Sequence, residues 1–127
     1  MTTRLVVGWA TIDTERAAAG WPAGGRLGDD GAVGARALRA STVDGLVLLE
    51  PSTEGRLAAS LARRGEGPAV VYVRTGRTAA GLRRAGLVLS AIAPGPFGPQ
   101  ALVLGGSRFG PHVIAVFDPA SLDTIEP

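Results

Sequence analysis

Two stretches of this chain can be laid over one another along most of its length. With Leu5 to Arg16, LVVGWATIDTER, set over Ala69 to Ala80, AVVYVRTGRTAA, Val6 meets Val70, Val7 meets Val71, Thr11 meets Thr75 and Thr14 meets Thr78. The offset is constant, 70 − 6 = 64, and it persists where Gly34, Ala37 and Leu38 meet Gly98, Ala101 and Leu102. Near the end of each half the runs LVLLEPS and VIAVFDPA close on Glu50-Pro51 and Asp118-Pro119, where the offset has grown to 118 − 50 = 68. One longer hairpin, GGSRFGP from Gly105 to Pro111, accounts for the growth. A common order at nearly one spacing in both halves indicates internal duplication, which restricts the chain to folds built from two copies of one unit.

Each copy reads as β-α-β-β-β. Val6–Thr11 and Val70–Thr75 are rich in β-formers, and Thr14 and Thr78 are placed to cap a following helix. In the second copy TAAGLRRAG fits a helix ending at Gly86, followed by strands LVLSAI, QALVLGG and HVIAVFD. In the first copy the glycine-rich stretch Gly20 to Gly34 leaves only a short or irregular second strand. Between the copies Ser52 or Thr53 can cap a helix from Glu54 to Arg64, with Leu57, Ala58 and Leu61 on one face and Gly65 at its end. The expected organisation is one domain over 1–127: a first module at 4–52, a linker helix at 53–67 and a second module at 68–121.

A chain of 127 residues has room for one sizeable core, and 46% hydrophobic with 19% charged residues is the balance of a folded globular domain. No apolar run approaches the length of a membrane span, and Asp13 and Glu15 interrupt the start before any leader-like apolar core. No membrane partner is expected, and a cytoplasmic location is. The absence of cysteine excludes disulfides, thiolate nucleophiles and thiolate metal sites. All thirteen basic residues are arginines, net charge is only +2, and apart from Arg63-Arg64 and Arg83-Arg84 they are scattered, with few aromatics between them. That distribution lacks the clustered stripe or stacking platform a nucleic-acid partner requires.

Two such units in a chain of this length, joined through LVLLEPSTEGRLAASLARRGEGPAVVYVRT from Leu46 to Thr75, resemble the vicinal oxygen chelate superfamily. That superfamily holds glyoxalases, bleomycin-resistance proteins, extradiol dioxygenases and methylmalonyl-CoA epimerase, and the middle stretch is similar to the epimerase pattern of strand, Glu-Pro, linker helix and Gly-x-Gly. The resemblance implies an α+β fold in which two βαβββ modules form a cup-shaped mixed sheet, in a chain that commonly pairs as a homodimer. It also implies a divalent metal ion held by one side chain from each of four strands, usually two histidines and two glutamates or glutamines. Carried onto this chain, those four positions fall at Val6, Val70, Val47 and Ala115, and all are apolar. A three-residue shift would bring Glu50 and Asp118 into the acid positions, but it would also move them to the other face of their strands.

Alternation places Val6, Gly8 and Ala10 on one face with Val70, Tyr72 and Arg74, with Val47 and Leu49, and with Val113, Ala115 and Phe117. If that face lines the cup, the ligand-contact candidates are Tyr72 and Arg74, amid Val6, Val47, Leu49, Val70, Ala115 and Phe117. Tyr72 offers a hydroxyl and Arg74 a planar fork for a carboxylate or phosphate. The structural alternative is that Tyr72 fills the cup and Arg74 snorkels to its rim. Trp9 falls on the opposite face, and Trp21 is placed to close one end. Glu50 and Asp118 read more simply as strand ends before proline than as an acid–base pair. His112 stands alone at the start of the last strand, Gly24–Gly34 lacks a phosphate-loop fingerprint and reads as a loop or lid, and no Ser-His-Asp set can be assembled.

Three functions follow as expectations. The first is metal-free binding of a small apolar or amphiphilic molecule in the cup, without cofactor, for sequestration or resistance. The second is a divalent-metal-dependent isomerase, lyase or dioxygenase with ligands of non-standard identity. The third is a structural module whose cup its own side chains fill. Four apolar positions where ligands would stand weigh against catalysis and for the first.

Overall fold

The computed structural model describes residues 5–12, 23–26, 28–40, 45–52, 55–105 and 111–118, with backbone alone at 23–26 and 38–40. The helix expected after Thr14, the Thr53 cap and the placement of Trp21 lie outside the described residues. Strands β1 (Leu5–Ala10), β2 (Ala23–Arg26), β3 (Ala35–Ala40) and β4 (Leu46–Pro51) come first. Helix α1 (Arg56–Arg64) leads to β5 (Gly67–Thr75), helix α2 (Ala79–Arg84), β6 (Val88–Leu89), β7 (Ala93–Gly95), β8 (Gly98–Leu104) and β9 (His112–Phe117). The strands form one curled mixed sheet in the order β2-β3-β4-β1-β5-β9-β8-β6, with β7 also paired to β8. The architecture is the α+β, cup-shaped mixed sheet that the resemblance implies.

The seam between the halves is the antiparallel pair β1–β5, in which Val6 faces Tyr72 and Gly8 faces Val70. β1 and β5 each take the last strand of their own half as a parallel neighbour: Val7 pairs Leu46, and Val71 pairs Val113. Between β1 and β5 the offset is 71 − 7 = 64, as in the sequence, but between β4 and β9 it is 113 − 46 = 67. Aligning the two acid-proline pairs therefore runs one residue beyond the ladder. A one-residue slip turns a strand over. Tyr72 pairs Ile114 and Arg74 pairs Val116, so His112, Ile114 and Val116 share the face of Val70 and Tyr72. Val113, Ala115 and Phe117, expected on that face, lie on the other one.

Two clusters separate along these faces. On the concave side Ala10, Val33, Ala37, Val47, Leu49, Val70, Tyr72, Leu102, Ile114 and Val116 pack with Leu57 of α1. On the convex side Ala115, Phe117 and Ala101 pack with Ala79 and Leu82 of α2. At the seam a Cβ on Gly8 would fall 2.5 Å from Leu49 Cδ1 and 3.1 Å from Val70 Cβ, so this position is where two side chains from opposite halves close over the sheet.

The linker helix starts two residues later than expected, at Arg56 with Gly55 as its N-cap, and no side chain caps it. Gly55 stays close to Val33, whose carbonyl accepts from the Leu57 amide at 2.9 Å. Helix α2 begins as expected: Thr78 accepts from the Gly81 amide at 3.0 Å. It ends in a Schellman turn, with Leu87 N donating to Leu82 O, Gly86 N donating to Arg83 O, and Gly86 at φ +100°. The second copy's LVLSAI run is strand only at Val88–Leu89. Ser90 then bonds Leu102 in both directions before the edge resumes at Ala93. The glycine-rich stretch of the first half is partly β2, and its turn inserts Val33, wholly buried, into the concave core. No helix among the described residues is long and apolar enough to cross a membrane.

Candidate functional site

The concave face is apolar at its centre and polar at one end. Val47, Leu49 and Val70 are fully buried, Tyr72 is 1% exposed, and Val6 is half-buried beside them. Ala115 and Phe117 belong to the α2 side, so the strand register excludes both from this face. Arg74 keeps its place in the row with Val116 and Gln100, and its side chain is exposed.

Tyr72 is held on both sides. Its ring stands edge-on to Phe97 at 5.0 Å between centroids, and its hydroxyl donates to Asp30 Oδ2 at 2.7 Å. Burial, together with the Asp30 carboxylate beside it, pushes the phenol far above its ordinary value, so Tyr72 serves as a neutral donor. Asp30 Oδ1 accepts from Gln100 Nε2 at 2.8 Å and from the Ala32 amide at 3.0 Å. Asp30 is wholly buried and Gln100 is 1% exposed. The isolated bridge Asp30–Ala35 fixes the Asp30 backbone at the mouth of a tight turn, and Gly28 brings the same loop against Pro96. A loop from the first half and a turn from the second thus meet over a buried trio of Asp30, Tyr72 and Gln100.

Sequence reasoning singled out Tyr72 but neither partner. Asp30 sits in a glycine-rich stretch without motif, and Gln100 follows proline at the start of a strand. The repeat concealed Gln100: the offset of 64 sets it opposite the outward-facing Arg36, whereas on the ladder Gln100 pairs Val116 as Ala37 pairs Leu49, an offset of 100 − 37 = 63, so that Ala37 and Ala101, matched in the sequence, lie on opposite faces.

Other candidates are placed apart from the trio. Glu50 binds Arg36 at 3.1 Å across β3–β4, and Asp118 is exposed past the end of β9. His112 is partly buried at the start of β9, and burial and the positive charges of Arg56, Arg63 and Arg64 lower its pKa. At the far end of β1 the buried Thr11 donates through Oγ1 to Glu66 Oε2, which also accepts from the Ile12 amide at 3.2 Å.

The divalent ion that the resemblance implies does not fit these residues. Val6, Val47 and Val70 offer no donor atom, and on the ladder the fourth position is taken by Ile114, as apolar as the Ala115 expected there. Among the described residues no three His, Asp or Glu side chains come together to hold a metal. Both oxygens of Asp30 are already committed to hydrogen bonds.

No protein-family model matches the chain, and no curated protein does. Solved structures do. A methylmalonyl-CoA epimerase from Mycobacterium tuberculosis is 21% identical over 97% of this chain and 93% of its own, with a TM-score of 0.73. The epimerase of Streptomyces coelicolor, in complex with 2-nitronate-propionyl-CoA, is 23% identical over 94% of this chain and 99% of its own, with a TM-score of 0.67. A hypothetical protein from Bacillus halodurans is 16% identical over 88% and 91%, with a TM-score of 0.70. At these identities the likeness is one of fold. The chain has the curled, cup-shaped mixed-sheet fold of these methylmalonyl-CoA epimerases.

Proposed function

We propose that this chain binds a small, largely apolar molecule on its concave face without a metal ion, and that its role is sequestration rather than turnover. The observation that carries this reading is the exchange of chemistry on that face: aliphatic side chains stand where the superfamily's ligands would, while a buried polar trio is kept at one end. An apolar hollow with a few placed polar groups is the usual make-up of a small-molecule site. The test is native mass spectrometry of the full chain, compared with its mass under denaturing conditions. An organic adduct released on denaturation is expected. A divalent ion at one per chain would overturn the metal-free reading.

A second reading has its own support. Tyr72, Val47, Leu49, Val70 and Ile114 are each 1% exposed or less, so side chains fill the cup closely, as in a structural module. An empty chain in the mass spectrometer, with no thermal shift across a panel of small amphiphiles, would favour it.

A further inference from the structure

Between the linker helix and the start of the last strand, hydrogen-bond donors gather with no acceptor opposite them. Helix α1 lies on the concave side, with Leu57 buried and Leu61 partly buried against the core. Arg56, Ser60 and Arg63 stand at i, i+4 and i+7. They form one stripe along the flank of that apolar face, while the exposed Ala59 and Ala62 take the outer side. His112 pairs Val70 at the start of β9 and so projects to the side on which the helix lies. Burial, and then the guanidiniums of Arg56, Arg63 and Arg64, lower the pKa of His112, so three cations of one helix bear on this imidazole.

The donors are unoccupied. Ser60 is only 5% exposed, and its hydroxyl has no hydrogen bond among the described residues. The His112 imidazole and the guanidiniums of Arg56 and Arg63 also have no hydrogen bond or ion pair there. Carboxylates nearby in the sequence are engaged elsewhere: Glu66 accepts from Thr11 and the Ile12 amide, and Glu50 pairs Arg36. Helix electrostatics accounts for part of the stripe only. Arg63 and Arg64 complement the C-terminal end of α1, but Arg56 stands in a first turn without an acidic residue, where the helix dipole disfavours a cation.

A buried hydroxyl without a partner, beside uncompensated guanidiniums, is the complement of an oxyanion. We infer that the α1 flank and the start of β9 bind a phosphate dianion, free or as the head group of a phosphomonoester. Ser60 and His112 donate to its oxygens from the sheet side, and Arg56 and Arg63 close on it from the flank. Two free guanidiniums match two negative charges, and their planar forks suit phosphate oxygens. The site stands whether or not the cup holds a ligand of its own.

His112 is the sole histidine of the chain, so one set of imidazole resonances in ¹H–¹³C spectra of the full chain reports the site. Inorganic phosphate, phenyl phosphate and acetate are titrated at fixed ionic strength. Phosphate is expected to give a saturable shift, to raise the His112 pKa by favouring the imidazolium, and to bind about tenfold or more tighter than acetate. The double variant Arg56→Gln/Arg63→Gln, altered only at exposed positions, should weaken phosphate about tenfold or more with its amide spectrum otherwise preserved. Ser60→Ala should weaken it without moving the acetate response. Equal affinity for phosphate and acetate overturns the inference, as does a phosphate response no larger than that to chloride or an affinity unchanged in the double variant. Phenyl phosphate binding tighter than inorganic phosphate would assign the site to an organic phosphomonoester, and equal binding to free phosphate; either outcome supports the phosphate site. Failure here leaves the adduct experiment on the concave face untouched.

Discussion

At the scale of single residues, Tyr72 links the packing of this fold to its polar chemistry, since its hydroxyl donates to the Asp30 carboxylate of the first half, which also accepts from the Gln100 amide of the second. Tyr72→Phe keeps the ring against Phe97 but leaves Asp30 Oδ2 buried and unpartnered, so it should cost about 1–3 kcal/mol of unfolding free energy in urea titration. Adding Asp30→Asn removes the stranded charge, so the double variant should lose less than the sum of the two single variants, and additivity would show that the two groups do not share a network. Gly8→Ala should also destabilise, by about 1–3 kcal/mol, because its Cβ meets Leu49 and Val70 at the seam. Tyr72 was legible in the sequence because alternation marks inward residues. Asp30 and Gln100 were not, because 70 residues separate them and only the closing of two loops brings them together.

At the scale of elements, the repeat was legible as a common series of strands in the two halves, and the error it induced is instructive. Glu50-Pro51 and Asp118-Pro119 look equivalent, but β4 runs on through Pro51 whereas β9 stops at Phe117, so matching the acids displaces the ladder by one. Strand ends are set by local turns while faces are set by register, and only the hydrogen-bonded ladder distinguishes the two. The start of α1 was missed for a related reason: Ser and Thr announce a cap, but the Val33 carbonyl engages Leu57 and draws the helix start to Gly55. With β9 turned so that Ile114 faces the concave core, Ile114→Ala should open that core at a cost of about 2–5 kcal/mol. Val113→Thr, on the partly exposed opposite side, should change stability by less than about 1 kcal/mol. Similar losses from both variants in thermal melts would place the strand the other way up.

At the scale of the whole molecule, the two halves share the concave core rather than each keeping one of its own. Ala10, Val47 and Leu49 from the first half pack in the same cluster as Val70, Leu102, Ile114 and Val116 from the second, and Leu57 of the linker helix joins both. Electrostatics crosses the same boundary, because burial and then Arg56, Arg63 and Arg64 of α1 depress the pKa of His112 on β9. A histidine whose folded pKa lies below its unfolded value binds fewer protons in the folded state, so stability is full above about pH 6.5 and falls as pH drops from there through the depressed value. Thermal midpoints should decline over that acid window, and His112→Gln should flatten the decline. The shared core has a sharper consequence for unfolding. Both tryptophans, Trp9 and Trp21, lie in the first half, so their fluorescence reports on that half, whereas far-UV circular dichroism averages over the chain. If each module held its own core, the two signals would part along a urea titration. With the concave cluster drawn from both halves, neither can lose its strands without exposing the other's aliphatic face, and the two curves should superimpose with one midpoint and one slope. Ile114→Ala, in the second half, should then move the tryptophan midpoint as far as the dichroism midpoint. A shift confined to dichroism would mean that the halves fold as separate units.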